Sequence, residues 1–325
     1  MNTQKLRRRH TPRPMPSSYA KMLLRTLFAL MLSFFAVAAR GEVTTFDGTG
    51  APIRLDKPAR RIVTLAPHLA ETLYAAGAGR WLVGVVAYSN YPEEAKKIPS
   101  VGSYSHFDLE AIAALKPDLI VAWESGNSPA HLERLRKLGF TVYVSQPDRI
   151  EDIPPELRSL GVLAGTSEIA DAEAARLEAR LAALRARYST LPRVRTFYQI
   201  WQQPLTTIGG KQVISTVIRL CGGENVFGAL EPLAANVTVE SVVAANPEVI
   251  IASGMDQSRP EWLDDWRRWA SITAVARNNL FFIDPDLMQR HTPRLFDGAD
   301  RLCEYLETAR GRRGSGIRNQ GSGIR

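Results

Sequence analysis

The chain has 325 residues, of which 45% are hydrophobic and 23% are charged, so it is long enough to build two separate cores. Its formal net charge of +8 comes from the two ends, because residues 1–40 and 310–325 carry eight and five Lys or Arg and no acid. The rest of the chain holds 28 basic and 33 acidic residues. This balance argues against a nucleic-acid partner.

The first forty residues combine basic side chains with an apolar run at residues 27–39. This run is shorter than the ~20 residues of a membrane-spanning helix, and Ala38 and Ala39 provide small residues for cleavage. We therefore expect residues 1–40 to be a secretory signal peptide that directs the protein beyond the inner membrane. An uncleaved N-terminal anchor is the alternative.

Residues 42–55 alternate polar and apolar side chains, which predicts a short hairpin at an edge. The next 110 residues alternate buried strands with helices, a pattern typical of an α/β lobe with a parallel sheet. Ligands of such lobes bind at the carboxyl ends of the strands. The predicted strands lie at residues 61–65, 82–86, 119–122 and 140–144, and a helix at residues 66–77 begins with Pro67.

Residues 107–123 contain a complete helix and strand. Asp108 can cap the first turn of the helix, apolar residues recur at helical spacing, and Pro117 ends the pattern before a buried strand. Residues 238–252 repeat this unit at an offset of 130 residues, with Glu240 where Glu110 stands.

Residues 167–188 predict one long helix, because Leu177, Leu181, Leu184 and Tyr188 form a single apolar stripe. We expect a rigid rod between two lobes that hinge little. The predicted fold is α/β, with two lobes of parallel-type sheets joined by one long backbone helix.

The second lobe repeats the α/β pattern, with strands at residues 195–201, 249–252 and 280–283 and helices at residues 213–220 and 295–309. Residues 206–211 are predicted as a loop. The domains are therefore placed at residues 41–165 for the N-terminal lobe, 166–190 for the backbone helix and 191–309 for the C-terminal lobe. Residues 310–325 have no apolar periodicity and are predicted to be a disordered basic tail.

Cys221 and Cys303 are the only cysteines, and both lie beyond the signal peptide in an oxidising compartment. A disulfide between them is the favoured arrangement, and two unpaired buried thiols are the alternative.

Motifs of catalysis are weak. The Gly209-Gly-Lys211 triplet lacks the other residues of a phosphate loop. The four histidines that follow the predicted signal peptide have no metal-ligand spacing; they are His68, His106, His131 and His291. We expect no catalytic residue and no metal site. His68 and His291 follow predicted strands closely and could face a ligand.

Aromatic residues are better placed than ionisable ones. Tyr88, Tyr104, Trp123 and Trp201 lie at carboxyl ends of predicted strands or in the loops beyond. Together they predict a pocket for a large, flat, partly apolar ligand, although each one alone is equally consistent with core packing.

Glu110 and Glu240 stand in the first turn of a helix, where an acid offsets the helix dipole. Their equivalence in the two lobes suggests a second role, in which each carboxylate meets an arginine pocket on a two-fold symmetric partner.

A set of short segments between residues 60 and 309 has a distinctive order and spacing. The segments are Ile62-Val-Thr-Leu-Ala-Pro67, Ala75-Ala-Gly77, Val83-Gly-Val85, Tyr88-Ser-Asn-Tyr-Pro92, Leu109-Glu110, Ala114-Leu-Lys-Pro-Asp-Leu-Ile-Val-Ala-Trp123, Cys221-Gly-Gly-Glu-Asn-Val-Phe227 and Thr292-Pro-Arg294. In this order and spacing they resemble the cobalamin-binding periplasmic proteins of ABC importers. The resemblance implies two lobes, one backbone helix and no catalysis.

The resemblance assigns roles to particular residues. Tyr88, Tyr104 and Trp123 fall at corrin-pocket positions of the first lobe, and Asp286 and Arg290 fall at pocket positions of the second. Glu110 and Glu240 fall at the glutamates that dock onto the membrane permease, and Cys221 and Cys303 at the disulfide.

The chain departs from the family at three pocket positions. Tyr104 stands where a tryptophan is usual, Ala234 stands near the place of a second-lobe tryptophan, and His68 stands where the family can have a small residue. A different corrinoid, or haem, could exploit the tyrosine or the histidine.

We therefore expect a monomeric periplasmic receptor that captures cobalamin or a related corrinoid and delivers it to an ABC permease dimer. The corrinoid is its transported ligand and not a cofactor. A haem or iron-siderophore receptor is the first alternative, and a secreted metal-chelate enzyme such as a chelatase is the alternative of another class.

Overall fold

The computed structural model describes residues 41–254 and 258–318. The predicted signal peptide and residues 319–325 lie outside this part of the chain. Among the residues described, no helix is long and apolar enough to cross a membrane.

The first lobe begins with the predicted hairpin, in which β1 (Val43–Phe46) pairs antiparallel with β2 (Pro52–Leu55). The elements that follow the hairpin are β3 (Ile62–Thr64), α1 (Pro67–Ala75), β4 (Leu82–Gly84), α2 (Leu109–Ala114), β5 (Leu119–Trp123), α3 (Pro129–Lys137), β6 (Val142–Ser145) and α4 (Ile153–Ala164). The four strands after the hairpin form one sheet in the order β4-β3-β5-β6, and every neighbouring pair is parallel.

Helix α5 (Ser167–Tyr188) joins the two lobes, as the leucine stripe predicted. Its buried residues belong to one core with apolar side chains from both lobes. These buried residues are Ala170, Ala174, Leu177, Leu181, Leu184 and Tyr188. The predicted fold class, two α/β lobes on one backbone helix, is confirmed.

The second lobe contains β7 (Val194–Trp201), β8 (Thr206–Ile208), α6 (Val213–Leu220), β9 (Gly223–Asn225), β10 (Ala234–Asn236), α7 (Val239–Ala245), β11 (Val249–Ala252), α8 (Thr273–Ala276), β12 (Leu280–Phe282), α9 (Pro285–Met288) and α10 (Leu295–Arg318). Four short 3₁₀ helices complete the described chain, two at Gly79–Trp81 and Glu93–Lys97 and two at Ile150–Asp152 and Glu261–Arg268.

The second sheet has a parallel part, as the fold class predicted, and an antiparallel extension of two strands that the sequence did not predict. Strands β9, β7, β11 and β12 pair in parallel, whereas β8 runs antiparallel to β7 and β10 antiparallel to β8. The predicted loop at residues 206–211 thus begins with strand β8. Thr206 and Thr207 of β8 pair with Trp201 and Gln199 at the carboxyl end of β7. Because β8 has only three residues, its sequence is too short to show the alternation that predicts a strand.

The internal repeat is preserved in backbone detail. Asp108 and Thr238 cap α2 and α7 with their side chains, and both helices are followed by left-handed residues, Lys116 (φ 46°) and Asn246 (φ 41°). Each helix then leads into the central strand that pairs on both sides, β5 in the first sheet and β11 in the second. The first turns of α2 and α7, which contain Glu110 and Glu240, therefore have the same local structure in the two lobes.

The predicted disordered tail differs from the structure at residues 310–318, where α10 continues beyond residue 309 to Arg318. Arginine side chains fix this extension. Arg310 donates to the carbonyl oxygens of Pro192 and Cys221, and Arg313 binds the carboxylate of Glu248. Long-range bonds of this kind leave no periodic pattern in the sequence.

Cys221, directly after α6, forms a disulfide with Cys303 of α10, which confirms the favoured pairing. The bond closes a sequence separation of 82 residues. On the chain-entropy account, a disulfide that closes a loop of this length stabilises the fold by about 4 kcal/mol.

We expect reduction of the disulfide, or replacement of both cysteines by serine, to lower the free energy of unfolding by about 4 kcal/mol. Guanidinium unfolding with and without reductant measures it, and equal midpoints would contradict the expectation.

Glu156 of α4 is a buried carboxyl group, 7% exposed, whose burial raises its pKa to about 7. Below the ordinary pKa near 4.5 both the folded and the unfolded state hold the proton. As the pH rises from 4.5 to 7, Glu156 of the unfolded state loses its proton while Glu156 of the folded state still holds it. The free energy of unfolding therefore falls by up to about 3 kcal/mol over this range.

Glu156→Gln cannot titrate and should escape this loss. We expect the variant to gain stability relative to the natural protein by about 3 kcal/mol between pH 4 and pH 8, measured by guanidinium unfolding at both values. Glu168→Gln, which changes an exposed glutamate on α5, is the control and should show no such gain. A stability difference for Glu156→Gln that is the same at both pH values would contradict the assignment.

Candidate functional site

Three residues predicted for the site meet at the carboxyl ends of the first sheet. Trp123 ends β5, His68 is the second residue of α1 directly after β3, and Tyr104 lies in the loop before α2. The Trp123 ring lies 5.1 Å from the His68 ring and 6.1 Å from the Tyr104 ring, measured between centroids. The His68 contact is edge-on, a favourable arrangement of aromatic rings.

The second lobe adds His291 to this cluster. Its ring centroid lies 5.8 Å from that of His68 and 6.4 Å from that of Trp123. The two lobes therefore meet through an aromatic group of four residues, which we call the interlobe cluster: His68, Tyr104, Trp123 and His291.

Polar atoms of the interlobe cluster are buried without partners. Within the described part of the chain, His68 Nε2, Trp123 Nε1 and His291 Nδ1 have no hydrogen bond. Burial lowers the pKa of His68 well below its usual value and lowers that of His291 to about 4, so both imidazoles are neutral near pH 7. A buried polar atom without a partner is unfavourable, and a ligand with hydrogen-bonding groups in the cleft would offer these nitrogens a partner.

A cavity of about 240 Å³ opens beside the cluster and is lined from both lobes. Trp123 and Gln146 line it from the first lobe. Ile200, Ala234, Gln289 and His291 line it from the second. This volume lies below the range of about 300–1,000 Å³ that encloses small-molecule ligands, so a large macrocycle requires the cleft to widen, which is more movement between the lobes than the rigid helix α5 predicts.

Arg290 and Asp286, the pocket residues assigned to the second lobe, form an ion pair of 2.9 Å. Arg290 also reaches across to the first lobe, where it binds the carboxylate of Glu71 at 2.6 Å and donates to Asn90 Oδ1 at 2.8 Å. Its other terminal nitrogen lies 3.4 Å from the backbone oxygen of Tyr88. The predicted pocket residues are thus bound into a bridge between the lobes.

Glu71 is the centre of this bridge and was not predicted from the sequence. It is 3% exposed and accepts hydrogen bonds from Arg290 and from Arg294, whose guanidinium lies 2.8 Å from both carboxylate oxygens. Arg294 also lies over the ring of Tyr91, with 3.9 Å from its Cζ to the ring centroid. Arg294 belongs to the quoted Thr-Pro-Arg motif, so a sequence signal existed for the arginine but not for its partner.

Asn127 is a second residue that the sequence did not reveal. Its side chain accepts from the Trp123 backbone nitrogen at 2.7 Å and donates to the carbonyl oxygens of Leu65 and Tyr104. One buried amide therefore holds the end of β5 and the Tyr104 loop together. The only local signal is the turn-forming stretch Gly126-Asn-Ser-Pro129, which begins three residues after Trp123.

Tyr88 and Trp201, which were also predicted for the site, lie outside the interlobe cluster and are exposed. Tyr88 is 79% exposed and has a left-handed backbone (φ 65°), whereas Trp201 ends β7 and is 40% exposed. Neither residue lines the cavity, although Ile200, next to Trp201, does.

Glu110 and Glu240 are both exposed and occupy the second position of α2 and α7. Hydrogen bonds from its own backbone nitrogen and from Thr238 lower the pKa of Glu240, which keeps the carboxylate charged. Neither glutamate forms a salt bridge with any residue that the structure describes. Each lobe thus offers one solvated carboxylate at an equivalent place.

The described residues contain no group of three or more His, Cys, Asp or Glu side chains that could hold a metal ion. The groups at the cleft are aromatic surfaces, two imidazoles and the ion pairs of Arg290 and Arg294 with Glu71 and Asp286. Aromatic surfaces with a few polar groups suit the binding of a large, partly apolar ligand.

Comparison with known proteins gives consistent matches. Residues 62–287 match the family described as periplasmic binding protein. The vitamin B12-binding protein of Vibrio campbellii is 36% identical over 256 residues, which cover 79% of this chain and 92% of that protein. The crystal structure of the periplasmic vitamin B12 binding protein BtuF of Vibrio cholerae has a TM-score of 0.73 and 36% identity, and covers 78% of this chain and 98% of that one.

A haem-binding structure shares the fold at lower identity. The periplasmic heme-binding protein RhuT from Roseiflexus has a TM-score of 0.65 and 23% identity, covering 77% of this chain and 99% of that chain. This likeness concerns the fold alone.

Proposed function

Since this chain belongs to the periplasmic binding protein family, and within it to the vitamin B12-binding proteins, we propose that it captures cobalamin or a related corrinoid and hands it to an ABC importer. It is a solute-binding protein and not an enzyme, and the corrinoid is its cargo and not a cofactor. Its place of action is the periplasm.

The observation that carries the proposal is the interlobe cluster beside a cavity lined from both lobes. Aromatic side chains and partnerless buried nitrogens converge there at the carboxyl ends of the first sheet. A flat corrin placed in the cleft would cover Trp123 and Tyr104 and gain apolar contact area. The relatives that are 36% identical are named for vitamin B12 binding, which identifies the class of ligand.

We assign the ligand contacts to His68, Tyr104 and Trp123 of the first lobe and to Asp286 and Arg290 of the second. Tyr88 and Trp201 would stand at the rim of the cleft, where exposed aromatic rings can close over a bound macrocycle. Arg290 would exchange its Glu71 contact for the polar periphery of the corrinoid when the cleft widens.

We further propose that the protein acts as a monomer and docks on a permease dimer in the inner membrane through Glu110 and Glu240. Support comes from the matching positions of the two carboxylates, one on each lobe, and from their exposure. Two identical permease subunits present two identical surfaces, which a repeated unit can meet.

The experiment is to purify the protein from cells supplied with corrinoid and to record its visible spectrum. Corrinoid absorption bands that leave with the ligand on denaturation support the proposal. A Soret band in their place identifies a haem receptor, and turnover of a metal chelate by the purified protein would identify an enzyme.

A further inference from the structure

Another cavity, of about 340 Å³, lies on the first lobe, between the turn after β1, the end of β6 and the start of α4. Its volume lies within the range of about 300–1,000 Å³ that encloses small-molecule ligands. Four carboxyl side chains line it, and among the residues described no Lys, Arg or His side chain does. We therefore call it the acidic cavity. The four carboxyl groups belong to Asp47, Asp148, Asp152 and Glu156.

Glu156 is the carboxyl group of this lining that the fold leaves without a partner. It is 7% exposed, and within the described chain neither of its carboxylate oxygens has a hydrogen bond. The Ser145 hydroxyl lies nearby but is also buried without a hydrogen bond of normal geometry. A buried polar group without a partner is unfavourable, and a donor placed in the cavity would supply one.

Two of the other carboxyl groups have an oxygen to spare. Asp148 accepts a hydrogen bond from the Gln146 side chain at 2.8 Å, and Asp152 accepts one from the Arg149 backbone nitrogen at 2.8 Å. Their second oxygens accept no hydrogen bond from the residues that the structure describes. Asp47 uses both oxygens to hold the turn after β1 and therefore contributes only its negative charge.

The carboxyl groups are spread along the cavity rather than gathered at one point. No group of three or more His, Cys, Asp or Glu side chains in the described part of the chain could hold a metal ion. Spread carboxylates suit a cation with an extended organic frame. Phe46, which is 65% exposed, and Tyr143 add aromatic rings to the lining, and the face of an aromatic ring attracts an ammonium group.

We propose that the acidic cavity binds a small organic cation, such as a linear diamine, whose primary ammonium group donates hydrogen bonds to the Glu156 carboxylate. An ammonium group has three donors and no acceptor, so it matches charged groups that are all acceptors. Asp148 and Asp152 would attract the second ammonium group. The inference goes beyond the proposed function: residues 146–148 line both cavities, but no residue of the interlobe cluster lines the acidic cavity.

A proton on Glu156 competes with the cation. The titratable groups that share the cavity with Glu156 are Asp47, Tyr143, Asp148 and Asp152, and no basic side chain is among the groups that shift its pKa. Burial raises this pKa to about 7, so the carboxyl group is mostly protonated at pH 6 and mostly ionised at pH 8. Primary ammonium groups keep their charge at both values. Affinity for the cation should therefore rise about tenfold from pH 6 to pH 8.

Titration of 1,4-diaminobutane with the purified protein, followed by the NMR signals of the diamine, tests the proposal. We expect saturable binding of one diamine per chain at pH 8 and about tenfold weaker binding at pH 6. 1,4-Butanediol has the same chain length but hydroxyl groups in place of the ammonium groups, and it should not bind. Absence of saturable diamine binding, or equal binding of the diol, would overturn the proposal.

Glu156→Gln removes the charge of the carboxylate and keeps its shape. This variant should bind the diamine about tenfold more weakly than the natural protein at pH 8 and should lose the dependence on pH. Glu168→Gln, which changes an exposed glutamate outside the cavity, should bind as the natural protein does. Glu156→Gln is expected to gain stability, so guanidinium unfolding can show that its weaker binding does not come from unfolding. Unchanged diamine affinity in Glu156→Gln would contradict the assignment.

Discussion

Glu110→Ala combined with Glu240→Ala is expected to abolish corrinoid uptake while changing ligand affinity by less than about twofold. Both carboxylates are exposed and stand in the first turn of α2 and α7, and neither residue belongs to the interlobe cluster or lines the cavity. In their absence the two lobes lose the charges proposed to meet arginines of the permease. Close charge pairs at protein interfaces contribute about 1.5–7 kcal/mol each, so two losses would remove productive docking.

The folded protein should tolerate these substitutions. An acid in the first turn of a helix contributes under about 1 kcal/mol through the helix dipole, and the caps Asp108 and Thr238 remain in place. Growth on limiting corrinoid measures uptake, and calorimetry measures affinity.

Glu168→Ala is the matched control for the docking pair. Glu168 is also exposed and also stands in the first turn of a helix, α5, but has no counterpart in the other lobe. Uptake should be unchanged in this variant. Collapse of ligand affinity in the double variant, or normal uptake by it, would show that the docking assignment is wrong.

Glu71→Ala is expected to lower the free energy of unfolding by about 3 kcal/mol, since the partly buried guanidinium of Arg294 loses its carboxylate partner and Arg290 keeps only Asp286. The Glu71 side chain is 2% exposed, and those of the two arginines are 14% and 18% exposed. The bridge joins the lobes across more than 200 residues of sequence. Guanidinium unfolding gives the measurement.

Glu93→Ala is the control, because Glu93 pairs with Lys96 at 2.7 Å in an ion pair whose side chains are 75% and 51% exposed. Exposed pairs contribute about 0–1 kcal/mol. A loss for Glu71→Ala no larger than that for Glu93→Ala would mean that water screens the bridge.

The sequence predicted the features that local patterns encode. The leucine stripe of residues 167–188 specifies α5, because its period matches the helix. Asp108 and Pro117 mark the start and end of a helix by capping and by the missing amide hydrogen. Trp123 could be placed at the cleft because the carboxyl ends of parallel strands share one edge of a sheet.

Contacts between distant segments could not be predicted in the same way. Glu71 looks like any glutamate on a short helix until the second lobe brings Arg290 and Arg294 to it. His291 could be suspected from its place after a strand, but its contact with His68 depends on how the lobes close. Asn127 and the strands β8 to β10 likewise depend on partners remote in sequence.

The measurement that tests the account most directly is a calorimetric titration of the purified protein, freed of ligand, with cyanocobalamin and separately with hemin. We predict saturable binding of one cyanocobalamin per chain, and a marked loss of affinity when Trp123 is replaced by alanine. No heat with cyanocobalamin, together with tight binding of hemin and a shifted Soret band, would contradict the assignment of this protein as a corrinoid receptor.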